Sequence, residues 1–347
     1  MKKLLLIMLT AAFPLSVLHA ENEGPQPLGS SDPDNFVKAG AAGAGFLKIG
    51  IGARGTAMAG ATGALVDDLS AIHWNPAGVA QVQGVSVFGS VSPYFADFNH
   101  NFVAASVGIS EDFVLAAHAN SFGATGIPIT TLVDDQGTGA TYDINDLSVG
   151  LTFAGYLTDQ FAFGITGKYA RTAFAAVGAG VVSFDVGTQY DTGLYGLQIG
   201  FSIHNLGGQT QFEGEDLAST YTALSTASQA PVDIQLASFP FSMPLTFRAG
   251  IGGDIYDQDE HLLRAEFDFI TYSDSPEQAA IGAEYVWNDI LAARAGYLFN
   301  NDQFGLSWGA GFIYKTGDFD GSIDYGMDLT ANLGLVHRIN LNIQLDD

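Results

Sequence analysis

The sequence predicts an all-β fold: a transmembrane antiparallel β-barrel of about 14 strands, closed from inside by an N-terminal hatch. Three observations carry this. From Gly84 to the C-terminus, large apolar residues alternate with small or polar ones at a period of two. Charged residues are only 14% of the 347 residues while apolar residues are 47% and glycines number 43. The connections between alternating stretches are short and long in turn, as in barrels with tight turns at one membrane face and larger loops at the other.

The same composition excludes several functions. A soluble surface needs roughly a quarter to a third charged residues, and this chain falls well below that. The formal net charge is −25, so binding nucleic acid by neutralising phosphates is excluded as a working idea. With no cysteine there is no disulfide, thiolate metal site, cysteine nucleophile or lipidated N-terminal cysteine. No Ser/His/Asp set or isolated carboxylate pair stands out from 37 acidic residues. The chain is therefore expected not to be an enzyme and to need neither metal nor cofactor.

Residues 1–20 read as a secretory signal. Lys2 and Lys3 make a basic start, Leu4 to Leu18 an apolar run broken by Pro14, and Ala20 a small residue before cleavage. The run is shorter than the roughly 20 residues of a spanning helix, and no later run reaches that length. Export to the cell outer membrane, with lipid around a closed sheet, follows. Residues 21–45 read as a flexible linker, residues 46–80 as the hatch and residues 81–347 as the barrel.

The hatch is rich in glycine and alanine but ends in specific chemistry. Gly50, Gly52, Gly55, Gly60 and Gly63 suggest close packing against the barrel wall. They are not a dinucleotide loop, because no βαβ unit surrounds them. Asp67 and Asp68 can cap a helix start. Asn75-Pro76 signals a turn, next to Trp74. Arg54 is the nearest strong cation, with Asp67 or Asp68 as its expected partner. His73 lacks clustered partners for a metal.

Fourteen strands are expected to start near Gly84, Asn99, Asp112, Asn145, Gln160, Gly180, Leu194, Ser242, Glu260, Pro276, Ile290, Gln303, Phe319 and Gly334. Six links are short: Ser110-Glu111, Thr158-Asp159, Asp191-Thr192, Asp257-Gln258, Asn288-Asp289 and Thr316-Gly317-Asp318. Longer links run from Ser121 to Tyr142, Thr172 to Ala179, Asn205 to Phe241 and Thr271 to Ser275. The segment from Asn205 to Phe241 could hide a further hairpin. An even strand number places both termini at the short-turn, periplasmic end. A soluble sandwich shows the same alternation, but these strands are long and share one polarity with no visible second core.

With the greasy face toward lipid, the alternate positions line the lumen. These are Lys168, Asp185, Arg248, Arg264, Glu266, Asp268, Glu284 and Arg294, joined by Asp320 and Asp324. An Arg or Lys facing mid-bilayer would cost roughly 2–4 kcal/mol, so an inward set of both signs is expected. It can be a structural network that holds the hatch or a polar surface for translocation.

The stretch GARGTAMAGATGALVDDLSAIHWNPAGVA, from Gly52 to Ala80, resembles the N-terminal signature of the PorV/PorQ family of outer-membrane proteins, within the wider FadL-like barrels. Further echoes are Asp185-Val186-Gly187, His204-Asn205-Leu206-Gly207, Arg248-Ala249-Gly250, Gly282-Ala283-Glu284-Tyr285 and Arg294-Ala295-Gly296-Tyr297. The resemblance implies fourteen strands and a hatch carrying an Asn-Pro-Ala turn, here Asn75-Pro76-Ala77. The chain departs from the common aromatic ending of such barrels with Ile343-Gln344-Leu345-Asp346-Asp347, although the alternation through Leu345 is intact. By this resemblance the chain is a component of protein secretion, type IX-like, that binds cargo or partner proteins at its outer loops. The alternative is a FadL-like transporter of hydrophobic small molecules, with a greasy pocket near the hatch and movement around Asn75-Pro76. The inward residues are mostly Gly, Ser, Thr and charged, which favours the first.

Overall fold

The computed structural model describes residues 42–194, 196–221, 232–316 and 319–345. The expected signal peptide, most of the expected linker, and most of the expected link at Thr316-Gly317-Asp318 lie outside the described residues. Fourteen antiparallel strands form the wall: β1 (Val85–Pro93), β2 (Asn99–Gly108), β3 (Phe113–Pro128), β4 (Thr141–Thr158), β5 (Phe161–Phe174), β6 (Val177–Asp191) and β7 (Gln198–Gly207). They continue as β8 (Thr246–Gln258), β9 (His261–Tyr272), β10 (Gln278–Trp287), β11 (Leu291–Phe299), β12 (Phe304–Thr316), β13 (Phe319–Thr330) and β14 (Leu335–Leu345). Each pairs with its neighbour in sequence, and β14 pairs with β1, Leu345 opposite Val85 and Ile339 opposite Val91. The ring is closed, so every wall strand has two partners and no edge faces lipid.

The alternation sets the two faces. Along β4, Leu147, Val149 and Leu151 point out and are exposed, while Ser148 and Thr152 point in and are buried. Each large apolar side chain left in water forgoes about 1.5–3 kcal/mol. An outward belt that includes Val103, Tyr169, Phe201, Ile281, Trp308 and Leu341 is stable only against an apolar medium. β1 has 9 residues and β10 has 10, lengths that cross a hydrocarbon layer. β3 and β4, with 16 and 18, project beyond it.

Two expected loops are overturned by these projecting strands. No long link spans Thr172 to Ala179: β5 and β6 run on to meet at Ala175 and Ala176, with Ala175 at φ 49°. No proline or long polar stretch interrupts the pairing there. The Ser121 to Tyr142 link shrinks to residues 129–140. Between β7 and β8, the short strands Ala218–Tyr221 and Val232–Gln235 pair with each other outside the ring. The hidden hairpin exists, and the barrel count stays at fourteen.

The hatch begins earlier than expected and enters from the other end. Ala42 bridges Ser242, and Gly43 N donates to Ser242 O, so the linker boundary at residue 45 is corrected. Phe46 and Leu47 bury against Ala170, Met243 and Phe122, and Lys48 pairs with Asp274 at 2.7 Å; Met243 and Asp274 belong to the long-loop side. The chain then descends through short helical turns at Ala53–Ala57, Ala71–Trp74 and Pro76–Gln81 to Gly84, where Gly108 N donates to Gly84 O beside the short β2–β3 turn. The start of β1 and the end of β14 share the short-turn end, but the described chain starts at the opposite mouth. Burial of Phe46 and Leu47 among apolar side chains holds it there.

The lumen is also more apolar than expected. Inward Phe88, Phe102, Val114, Ala154 and Ala162 on β1 to β5 pack against hatch residues Ile51, Leu69, Ile72, Trp74 and Val79. This is a second core, inside the barrel. Most inward charge lies on the other side, on β8 to β14, with the Lys168–Asp185 pair on β5 and β6 apart from it.

Candidate functional site

Arg54, in the Ala53–Ala57 helical turn of the hatch, joins the hatch to the charged wall. Its Nε and Nη2 donate to Glu284 Oε2 and Oε1 at 3.0 Å each, a paired geometry available to guanidinium and carboxylate. Its Nη1 pairs with Asp67 and lies 3.6 Å from Asp68 Oδ2. Arg264 reaches Asp67 Oδ2 at 3.3 Å and Asp254 Oδ1 at 3.0 Å. Glu284 also accepts from Arg294 Nε at 2.5 Å, and Arg294 Nη1 donates to Asp324 Oδ1 at 2.6 Å. Asn340 Nδ2 donates to Asp324 Oδ2 at 2.9 Å, while Asn340 Oδ1 accepts Ala53 N–H at 2.6 Å. One alternating chain of charge thus runs from hatch to wall and back to hatch.

A second grip uses backbone alone on the hatch side. Asp268 Oδ2 accepts the N–H groups of Thr62 and Gly63, and Glu266 accepts those of Ala64 and Leu65. Four consecutive amides therefore end on two carboxylates spaced two residues apart on β9, both facing in. Arg248 Nη1 donates to Asp268 Oδ2 at 2.6 Å and to Gly60 O, and its guanidinium lies 5.1 Å over the Trp74 ring.

Asn75 and Pro76 close the short-turn end. Asn75 is fully buried. Its Nδ2 donates to Gly63 O at 2.6 Å and Thr188 O at 3.1 Å, and its Oδ1 accepts Ala77 N–H. It caps the Pro76–Gln81 turn, with proline at the first position, where no N–H is needed. The capping role expected of the acidic pair holds for one member: Ser70 precedes the Ala71–Trp74 turn without a side-chain capping bond, Asp68 accepts Ser70 N–H at 2.7 Å, and Asp67 is held by arginines instead. The hatch glycines meet the expectation in part. A Cβ on Gly63 would stand 3.0 Å from wall residues Arg248 and Asp268, and one on Gly52 3.2 Å from Phe88, whereas on Gly50 or Gly55 it would strike Trp74 of the hatch itself; wall residue Gly296 in turn makes room for Met58 and Ala59.

Above the hatch, toward the long-loop end, lies a cavity of about 400 Å³. Hatch residues Ile49, Ile51 and Trp74 form its floor, and Ile270, Tyr272 and Leu298 one wall. Lys168 and Asp185, joined at 2.7 Å, and His204, which bonds Trp74 O at 3.1 Å, stand on the other. His73 also lines it. Burial pushes the His73 imidazole well below its ordinary pKa, with His204, Arg248, Lys168 and His100 acting the same way. Burial raises Asp68.

The structure thus brings Arg54, Asp67, Asp68, Arg264, Glu284 and Arg294 into one network and Arg248, Glu266 and Asp268 into another. Lys168 and Asp185 sit apart at the cavity, and Trp74 links cavity to hatch. Missed in the sequence were His118, Ser148, Asn340 and the buried pair Arg338–Asp328. Their signal was parity alone: each lies an even number of places from a recognised inward residue on its strand or opposite one.

No protein-family model matches the chain, and no curated protein does. Solved structures do. The CymD monoaromatic hydrocarbon channel superposes with a TM-score of 0.57 at 13% identity, covering 86% of this chain and 98% of that one. The Ralstonia pickettii toluene transporter TbuX gives 0.55 at 14%, covering 86% and 99%. A Pseudomonas aeruginosa FadL homologue gives 0.50 at 11%, covering 85% and 98%. Nothing in these likenesses points to PorV or PorQ in particular. The chain has the fold of the FadL-like outer-membrane barrels.

Proposed function

We propose that the chain is an outer-membrane channel for hydrophobic or amphipathic small molecules. The cavity supports this: a partly apolar space of about 400 Å³, open on one side and seated on a hatch that closes the barrel below it. The apolar lining comes largely from the hatch and the outer halves of strands, so counting inward Gly, Ser and Thr undervalued it. Movement of the hatch about Asn75-Pro76 would connect the cavity to the periplasmic end. CymD, a monoaromatic hydrocarbon channel, and TbuX, a toluene transporter, suggest the size of ligand. The test is toluene uptake by a porin-depleted bacterial host expressing the full chain. Uptake several-fold faster than with empty vector is expected; equal rates would overturn the proposal.

A secretion role is favoured by one observation. Leu132, Val133 and Phe239 stand almost fully exposed in long-loop segments, a place where a protein partner could dock. Gentle extraction and mass spectrometry separates the readings: secretion proteins or cargo support docking, and a bound small molecule alone supports transport.

A further inference from the structure

We propose that the cavity above the hatch binds uncharged compounds that carry a hydroxyl head on an apolar body, such as alkylphenols. This rests on the transport role proposed above and narrows its ligand. The ring order gives the cavity two unlike walls. β5 and β12 are seven strands apart in a ring of fourteen, so they face one another. On the side of β9 to β12, Ile270, Tyr272, Leu298 and Phe304 line the space, with Gln278 and Ser307 beside them. On the side of β3 to β7 the lining is His118, Asn120, Ser148, Lys168, Asp185 and Asn205.

The charges in this cavity are already satisfied. Its four cations are Lys48, Lys168, Arg248 and Arg338, and each is paired with a carboxylate, respectively Asp274, Asp185, Asp268 and Asp328. A ligand carboxylate would have to break one of these pairs. What remains unmet is mostly neutral. His118 Nδ1, Ser148 Oγ and Asn205 Oδ1 are buried without a hydrogen-bond partner among the described residues; Arg338 Nε is a further donor. Ser148 and Asn205 are 1% and 2% exposed. Burying such an atom without a partner is unfavourable, so each gains when a turn of its side chain brings it to a donor or acceptor in the space.

The backbone holds these groups in place. On adjoining strands, Ser148 lies opposite Asn120, and His118 lies opposite Gly150, which in turn lies opposite Lys168. His118 and Ser148 are thus diagonal neighbours, within reach of one small head group. Gly150 leaves the room: a Cβ there would stand 2.5 Å from His118 Cε1. Asn205 is fixed at φ 62° in the bulge between β6 and β7, with its N–H on Asp185 Oδ1 at 2.7 Å and its Nδ2 on Pro244 O at 2.9 Å. Its Oδ1 is the group left over. A phenolic hydroxyl can donate to His118 Nδ1 or Asn205 Oδ1 and accept from Ser148 Oγ–H, while its ring and alkyl tail lie against the opposite wall.

The test is equilibrium dialysis of 4-propylphenol, propylbenzene and 4-propylbenzoate against the full chain in lipid nanodiscs, with empty nanodiscs subtracted. The three probes share a body and differ in the head. Propylphenol is expected to bind at least about fivefold more tightly than propylbenzene, the ratio of one hydrogen bond. Ser148→Ala and His118→Leu should each remove most of that margin between phenol and hydrocarbon. Equal binding of phenol and hydrocarbon, or a margin that survives both variants, would overturn the head-group site while leaving transport intact; water then fills the polar wall. Tightest binding of the benzoate would overturn it too, in favour of a charged head. Binding of none of the three would overturn the transport role itself.

Discussion

Arg54 of the hatch and Glu284 of β10 are joined by two parallel hydrogen bonds of 3.0 Å. Glu284 is shared with Arg294 at 2.5 Å, so this one carboxylate serves hatch and wall together. Replacing it by Gln leaves two guanidinium groups short of charge in a largely buried place. Breaking one side of a buried pair costs about 3–5 kcal/mol. Glu284→Gln is therefore expected to raise amide hydrogen exchange across residues 53–65 by at least tenfold. The barrel itself should stay closed, read as unchanged heat-modifiable mobility on a gel. Exchange equal to wild type would show that the network does not latch the hatch.

Asn75→Ala removes three hydrogen bonds at once, those with Gly63 O, Thr188 O and Ala77 N–H, inside the barrel. Each buried group left without a partner costs about 1–3 kcal/mol, so the variant is expected to unseat the Asn75-Pro76 turn. Cells carrying it should become several-fold more sensitive to detergent and to a bulky antibiotic such as vancomycin. If assembly and sensitivity both match wild type, this turn does not hold the hatch.

Wall glycines give a steric test of the same seating. A Cβ on Gly296 would stand 2.2 Å from Met58 C, and one on Gly187 would stand 2.0 Å from Asn75 Oδ1. Gly89, on the outer face of β1, has nothing within 4 Å of such an atom. Gly296→Ala and Gly187→Ala should loosen the hatch to limited proteolysis, while Gly89→Ala should not. Equal protease patterns for all three would mean the hatch moves aside at no cost.

These glycines show where the sequence stopped being informative. Strand positions were readable because lipid and lumen impose a period of two, and every expected start lies within about four residues of the observed one. Inward charges were readable for the same reason. The hatch contacts were not: Gly296 and Gly187 look like any small inward residue until Met58 and Asn75 are placed opposite them. Nor could parity reveal that inward Phe88 and Phe102 meet Trp74 and its neighbours as a core, or that residues 42–48 sit at the long-loop mouth. Those facts depend on contacts between residues far apart in sequence. The tight Ala175–Ala176 turn carries no glycine or proline signal at its centre, so the sequence there reads as a loop.

The hatch should also loosen as the medium turns acidic. His73 sits against Trp74, ring centroids 4.7 Å apart and edge-on, and burial holds its pKa well below the ordinary value. In a dislodged hatch the imidazole would titrate near 6.5. The dislodged form then binds a proton that the seated form does not, so seating weakens as pH falls through and below about 6.5. The slope from this single group reaches at most about 1.4 kcal/mol per pH unit. Asp68 acts oppositely, because burial raises its pKa and the seated form takes up its proton first. The effect of His73 is therefore read as a difference. Between pH 7.5 and 5.5, hatch amide exchange, corrected for its intrinsic pH dependence, should rise several-fold in the wild-type chain and much less in His73→Gln. Parallel profiles for the two proteins would show that His73 stays neutral whether the hatch is seated or not.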